Sequence, residues 1–225
     1  MSATFSLPGS QYDQIVGLFL SSHLNRTFYN AHEAAKNMRG GARVEIVDSH
    51  TTAIGLGLIV QTAAKAASQG YDAKGIRRII LGVIPRIYSV FCVRGLTYLQ
   101  RTGHLSPAQA LVGEMLGVTP FFVMDRGRLT PVQKIRSSRH QVDCLHEFVS
   151  EFEQLNHIGI LQGVPPFTHE KRVLRERILE DFPTTQVSEH TINPVLAAIL
   201  GPQTMGLFVW EASKNDIVLT QFGEK

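Results

Sequence analysis

Residues 44–60 read VEIVDSHTTAIGLGLIV, an apolar run that stops at Asp48-Ser49-His50 and resumes as a helix of small residues. Val44, Ile46 and Val47 make a short β-branched run bounded by polar residues, the pattern of a strand covered on both faces of its sheet. From Gly55 onward Leu56, Ile59, Val60, Ala63, Ala64 and Ala67 recur at spacings of three and four, which puts them on one face of a helix. A strand that feeds a helix through a polar turn is half of a βαβ unit, and ligands of open α/β sheets sit beyond the carboxyl ends of the strands. Chemistry is therefore expected near Asp48, Ser49 and equivalent edges.

One such edge lies upstream. Residues 12–20, YDQIVGLFL, read as a strand that ends at Ser21-Ser22-His23-Leu24-Asn25-Arg26-Thr27. Residues 27–38 follow as a helix, with Phe28, Ala31, Ala34 and Ala35 on one face. Two strand-to-helix turns on neighbouring parallel strands bring hydroxyls, backbone N–H groups and helix N-termini to one rim, where an anion or carboxylate is electrostatically favoured. Residues 1–10, with Pro8 and Gly9, form a weakly patterned leader.

Downstream, residues 72–88 carry Ile76, Ile79, Ile80, Val83, Ile84 and Ile87 at helical spacing, and residues 90–93 read as a short strand. Helices follow at 95–101 and 106–116, the second opened by Ser106 as cap and Pro107 in the first turn. The change of rhythm at 117–120 is expected to separate two domains, 1–117 and 118–225. In the second, strands at 121–124 and 129–135 flank Asp125-Arg126-Gly127-Arg128, a hairpin signal. Helices at 137–155 and 170–182 and strands at 157–162, 185–192 and 206–210 complete it, and the tail from residue 212 is polar. The fold class expected is two-domain α/β: a mostly parallel N-terminal sheet and a C-terminal α+β domain with a mixed or antiparallel sheet.

Composition narrows the function. The chain has 225 residues, 44% hydrophobic and 18% charged, ample for one large or two small cores. Its net charge of +3 comes from 22 basic and 19 acidic residues spread along the chain, which does not form the concentrated basic and aromatic face of a nucleic-acid binder. Cys92 and Cys144 stand far apart in apolar segments without a CxxC, as buried reduced thiols do in a cytoplasmic protein. No run approaches the roughly 20 apolar residues of a membrane span, and no signal peptide is evident, so a soluble cytoplasmic protein is expected.

Several sharper motifs fail on their mechanics. Gly55-x-Gly57-x-x-Val60 approaches a dinucleotide fingerprint, but the polar insert between Asp48 and Gly55 removes the tight turn that motif requires. Asp48, Ser49 and His50 are successive and form no relay among themselves, and Gly-x-Ser-x-Gly is absent. His140 and Cys144 share a helical face that His146 does not, which argues against a metal site. Arg126, Arg128, Lys134, Arg136 and Arg139 form the densest basic group, an exposed face or a dock for a partner protein.

Taken in order, several words of this chain resemble the DegV family, fatty-acid-binding partners of a bacterial fatty-acid kinase. They are Tyr12-Asp13 with the strand into Ser21-Ser22-x-Leu24-x-x-Thr27, Val47-Asp48-Ser49 with Gly55-Leu56-Gly57-Leu58, and Leu96-Thr97-Tyr98-Leu99-Gln100-Arg101-Thr102-Gly103-His104-Leu105-Ser106. Pro131-Val132-Gln133-Lys134-Ile135-Arg136 and Pro194-Val195 before Gly201-Pro202 and Gly206-Leu207 continue the series. The resemblance implies a non-catalytic carrier with an acyl chain buried between two α/β domains, its carboxylate at a strand rim for a separate kinase to phosphorylate. No cofactor is implied beyond the fatty acid as ligand. The carboxylate would meet Ser21, Ser22, Asn25, Arg26 and Thr27, with Asp48 and Ser49 as a secondary rim. Leu56, Ile59, Leu116, Phe121 and Ile199 are the acyl-tunnel candidates.

The chain departs from the family pattern in places. The family's first strand, with its Thr-Asp-Ser word, has no counterpart, so the N-terminal domain is expected to be truncated relative to the family, and an exposed sheet edge would favour a homodimer or a swapped segment. Thr4-Phe5-Ser6-Leu7-Pro8 aligns loosely with a Thr-Ser-x-Pro segment. Leu24-Asn25-Arg26-Thr27 replaces Leu-Ser-Gly-Thr, Ile199 stands at a head-group His, and Leu200 replaces the following Thr. Two other readings are a small-molecule hydrolase or transferase using the Asp48/Ser49 rim, and a family member that binds no lipid.

Overall fold

A computed structural model describes residues 12–37 and 42–213. The leader over 1–10, the Thr4–Pro8 alignment, and Met38 at the end of the first expected helix lie outside the described residues. The chain divides into two compact units, Met1–Arg86 with Arg126–Arg128, and Ile87–Asp125 with Leu129–Lys225.

The first unit contains β1 (Gln14–Phe19), α1 (Thr27–Lys36), β2 (Arg43–Asp48), α2 (Ala53–Ser68) and α3 (Ala73–Val83). β1 and β2 pair in parallel, Gln14 opposite Arg43 and Phe19 opposite Asp48, so both strands end at one rim. The small side chains of Ala31 and Ala34 let α1 lie close on Ile15, Phe19, Val44 and Ile46. Asp72 caps α3 by accepting from Gly75 N at 2.8 Å, and Ile76, Ile80 and Val83 are buried on its inner face. Ala73 N at its first turn donates to Gln14 Oε1 at 2.8 Å, tying α3 to the start of β1. The inner face of α2 is built of Ile54, Leu58, Ile59, Ala63 and Ala66; of the stripe expected from the sequence only Ile59 and Ala63 belong to it, while Leu56 is half-buried and Val60, Ala64 and Ala67 are exposed.

The second unit contains β3 (Ile87–Val93), α4 (Thr97–Arg101), α5 (Pro107–Met115), β4 (Thr119–Asp125), β5 (Arg128–Ile135), α6 (Ser138–Ser150), β6 (Leu155–Gln162), α7 (Thr168–Asp181), β7 (Gln186–Thr191), α8 (Pro194–Leu200) and β8 (Thr204–Glu211). Its sheet runs β5-β4-β3-β8-β6-β7. The last strand, β8, enters the middle, antiparallel to β3 and to β6, while β6 and β7 run parallel. β4 and β5 are joined at Arg126-Gly127, where φ is 47° and 82°, a turn with two left-handed residues that matches strand twist. β5 is one of the sheet's two outer strands, and Pro131 with the exposed Lys134 makes it a poor template for further pairing.

Period-two alternation sorts this sheet's side chains. Val90, Cys92, Ile158, Ile160, Met205, Leu207 and Val209 face Val142, Leu145 and Val149 of α6 and Leu174 and Ile178 of α7. Phe91 and Phe208, fully buried, cross edge to face with centroids 5.5 Å apart. α6 and α7 are laced by Arg177, which donates to Asp143 Oδ1 at 2.7 Å and lies 3.0 Å from His146 Nδ1, and His146 Nε2 lies 2.9 Å from Asp181.

The structure agrees with the expected fold class, a parallel N-terminal sheet and a mixed C-terminal one, and moves several boundaries. The units divide at Arg86/Ile87, earlier than 117/118, because β3 pairs along its length with β8 and through Val90–Cys92 with β4. The helix expected through 88 stops at Val83, since Pro85 has no N–H to continue it, and Ile87 and Tyr88 join β3. The helix expected through 155 stops at Ser150. Phe152 and Leu155 keep helical spacing, yet Leu155 pairs with Glu211 and the Phe152 ring packs at a tilt on Tyr88, centroids 5.1 Å apart. Helix α8 was not expected; Asn193 caps it by accepting from Leu196 N at 2.9 Å, with Pro194 in the first turn.

Candidate functional site

The rim at the carboxyl ends of β1 and β2 is organised by Asp48. Its carboxylate accepts from Ser22 N at 3.2 and 3.3 Å and from His50 N at 2.9 Å, and His50 Nδ1 lies 3.6 Å away. One side chain thus fastens the turn after β1 to the turn after β2. The backbone repeats the link: Ser49 N donates to Phe19 O at 3.0 Å and Ser21 N to Thr51 O at 2.8 Å. Holding this arrangement puts His50 and Ala53 at positive φ, 50° and 42°, a conformation that side chains resist.

Four hydroxyl residues here are almost fully enclosed: Ser21, Ser49, Thr51 and Thr52. Ser21 Oγ donates to Gly127 O at 2.7 Å and accepts from His23 N at 3.2 Å. Ser49 Oγ is engaged by Thr51, donating to its carbonyl and accepting from its N–H at 3.3 Å each. Asp48 thus holds N–H groups of both turns, and Ser49 is folded onto Thr51.

Each expected head-group residue has a definite place. Ser22 is half-buried with its N–H on Asp48, and Asn25 Oδ1 accepts from Thr27 N at 2.9 Å. Thr27 opens α1, and Arg26, at the N-cap, is exposed and makes no capping bond. The N-cap residues of the two helices that begin at this rim, Arg26 of α1 and Thr52 of α2, make no side-chain capping bond, although Asn25 Oδ1 takes the first N–H of α1, that of Thr27. Sequence reasoning passed over Thr51 and Thr52; the run Ser49-His50-Thr51-Thr52 was the available signal, hidden because hydroxyl residues before a helix ordinarily read as caps.

The apolar candidates fall in both units. Ile59 is fully buried on α2, and Leu56 beside it is half-buried. Phe121 belongs to the core cluster of the second unit, Ile199 is buried on α8, and Leu116, after α5, is 68% exposed. In the second unit Gln133, Lys134, Arg136, Ser137 and His140 line an open groove of about 730 Å³, and of the basic cluster Lys134 and Arg136 belong to it. Burial pushes the Cys92 and Cys144 thiols up, leaving both as core residues. On β6 and β7, Ser188 Oγ lies 2.7 Å from His157 Nε2 and 2.9 Å from His190 Nε2, and burial holds the His157 imidazole below its usual pKa. Among the described residues no helix is long and apolar enough to cross a membrane.

The molecule is thus a two-unit α/β protein whose first unit presents a hydroxyl- and N–H-rich strand rim. Residues 2–212 match the family model described as "Uncharacterised protein, DegV family", and the chain belongs to the DegV family. A DegV domain-containing protein from Streptococcus pyogenes serotype M3 is 31% identical over 199 residues, 85% of this chain and 68% of that one. Solved structures with the same fold include a DegV family protein from Eubacterium eligens loaded with heptadecanoic acid, at TM-score 0.80 and 15% identity, covering 94% of this chain and 78% of that one. The Streptococcus pneumoniae fatty acid kinase (Fak) B3 protein loaded with linoleic acid superposes at TM-score 0.82 and 17% identity, covering 94% and 76%.

Proposed function

We propose that this chain is a non-catalytic fatty-acid carrier that holds a long-chain fatty acid by its carboxylate and presents that carboxylate to a separate kinase. The observation that carries the reading is the rim of the first unit: two parallel strands end together, Asp48 fixes their turns, and α1 and α2 begin there with N-cap residues, Arg26 and Thr52, whose side chains make no capping bond. A carboxylate only accepts hydrogen bonds, and such a rim offers donors. Ser22, Asn25 and Thr27 are the head-group residues of this reading, with Leu56 as the nearest apolar candidate on α2. Family membership supports it, as do the fatty acids in the Eubacterium eligens and Streptococcus pneumoniae neighbours. The latter's name, a fatty acid kinase B3 protein, supports the kinase as partner.

Native mass spectrometry of protein purified from cells tests the proposal. A carrier arrives with an adduct of fatty-acid mass that is lost on delipidation and restored by adding palmitate. Protein that is bare on isolation and takes up no palmitate contradicts it. The kinase step has its own test: mixing loaded carrier, ATP and a fatty acid kinase should yield acyl phosphate, and none should form without the carrier.

A further inference from the structure

The six-stranded sheet of the second unit ends at β5 on one side and at β7 on the other, and the two edges are built differently. β5 is blunted by Pro131 and by the exposed Lys134. β7 has neither proline nor lysine, and its register with β6 runs unbroken from Gln186 opposite His157 to Thr191 opposite Gln162, with no bulge to twist it aside. Its one acid, Glu189, is spent inside the chain on Lys171 and Arg175 of α7.

A single bond sets the backbone directions along β7. Ile192 N donates to Gln162 O at 2.8 Å, so in this parallel ladder residues 186, 188 and 190 turn N–H and C=O towards β6, and Val187, Glu189 and Thr191 turn theirs outward. Among the described residues those outward groups meet no backbone partner. Glu189 and Thr191 are exposed and Val187 is half-buried, so the row is open to another strand.

The side chains of β7 match a second β7 laid antiparallel across a two-fold axis. Opposed residues of an antiparallel pair share a face, so the axis passes at a residue, and three positions overlap most of the strand. An axis at Glu189 sets two carboxylates directly opposite. An axis at Val187 carries Thr191 past the strand onto Pro183, which has no N–H to give. At Ser188 the pairings agree. Val187 and Glu189 meet Glu189 and Val187 of the second copy as hydrogen-bonded pairs, and Gln186 meets His190. Ser188 meets itself at the closest approach of the strands, a Cα separation of about 4.5 Å. That position needs a small, neutral side chain, and Ser188 Oγ is already held at 2.7 Å from His157 Nε2 and 2.9 Å from His190 Nε2.

We propose that β7 pairs antiparallel with β7 of a second copy of this chain about an axis at Ser188, joining the two sheets edge to edge. Sedimentation equilibrium of the full chain between about 5 and 500 µM should show the mass rising from one chain towards two, with Kd below about 100 µM for so small an interface. Val187→Pro removes an outward N–H and none directed at β6. It should raise Kd at least about tenfold and leave the melting temperature at 5 µM within about 3 °C of the parent. Under mild oxidant Ser188→Cys should form a disulfide between copies and Glu189→Cys should not, since only residue 188 meets itself within disulfide reach; Cys92 and Cys144 are buried. A mass fixed at one chain throughout overturns the proposal, as does a dimer that Val187→Pro leaves intact. A disulfide through Glu189→Cys and none through Ser188→Cys overturns it as well.

Discussion

Removing the Asp48 carboxylate should loosen two turns at once. The acid accepts one long, bifurcated bond from Ser22 N at 3.2 and 3.3 Å and one well-formed bond from His50 N at 2.9 Å, and its side chain is only 10% exposed. Hydrogen bonds to charged groups contribute about 1.5–3 kcal/mol, and the long geometry at Ser22 and the exposure of His50 put both at the low end. Asp48→Ala is therefore expected to cost the rim about 2–3 kcal/mol, and Asp48→Asn, which keeps one acceptor oxygen, about 1 kcal/mol. Amide hydrogen exchange reads this locally: the Ser22 and His50 N–H groups should exchange roughly 30- to 150-fold faster in Asp48→Ala and several-fold faster in Asp48→Asn. Amides in the middle of β8, in the other unit, serve as the internal reference. Exchange at Ser22 and His50 that stays within about threefold of the parent in Asp48→Ala refutes the view that this carboxylate fastens the two strand ends.

Gly163→Ala places a methyl against Pro202 O, Thr204 N and Thr204 O, all backbone, and opposes the 2.8 Å bond from Val164 N to Pro202 O; a loss of about 1–3 kcal/mol in urea unfolding is expected. Burial lowers the His157 pKa in the folded chain, with the His190 charge adding to it and hydrogen bonding to Gln186 pulling the other way. The unfolded chain then takes up the proton first, so this group costs nothing above the ordinary imidazole pKa and erodes stability as pH falls through it toward the lowered folded value. Unfolding titrations between pH 8 and 5 should show that erosion, and His157→Gln should flatten it; an identical pH slope in the variant contradicts the assignment.

The fold was legible where local pattern and tertiary demand agree. The run at 44–60 fixed a strand, a polar turn and a helix, because β-branched residues, a carboxylate edge and small residues at spacings of three and four all point one way. Ser106-Pro107 marked a helix start, and the structure adds the reciprocal bond from Ser106 N to Gln109 Oε1. Arg126-Gly127 likewise marked a hairpin. Boundaries failed where apolar spacing continued past the element that produced it, at Ile84 and Ile87 beyond Val83 and at Phe152 and Leu155 beyond Ser150. Strand pairing with β8 decided both cases, and a partner at residues 204–211 leaves no mark at 87 or 155.

The site was legible in outline. Hydroxyl-bearing turns after two parallel strands announced a rim at Ser21, Ser22, Asp48 and Ser49. What the sequence did not reveal is the division of labour: Asp48 and Ser49 hold the turns together, Arg26 lies in solvent, and Thr51, one of two adjacent threonines, keeps an unspent hydroxyl. Which hydroxyl is spent depends on carbonyls brought in by folding, and no spacing rule encodes that.

Titrating isotope-labelled protein with palmitate and following the backbone amides by NMR tests the central claim most directly. Saturable shifts concentrated in residues 21–27 and 48–55 are the predicted result. Saturable binding with those amides unmoved, or no binding at all, contradicts it.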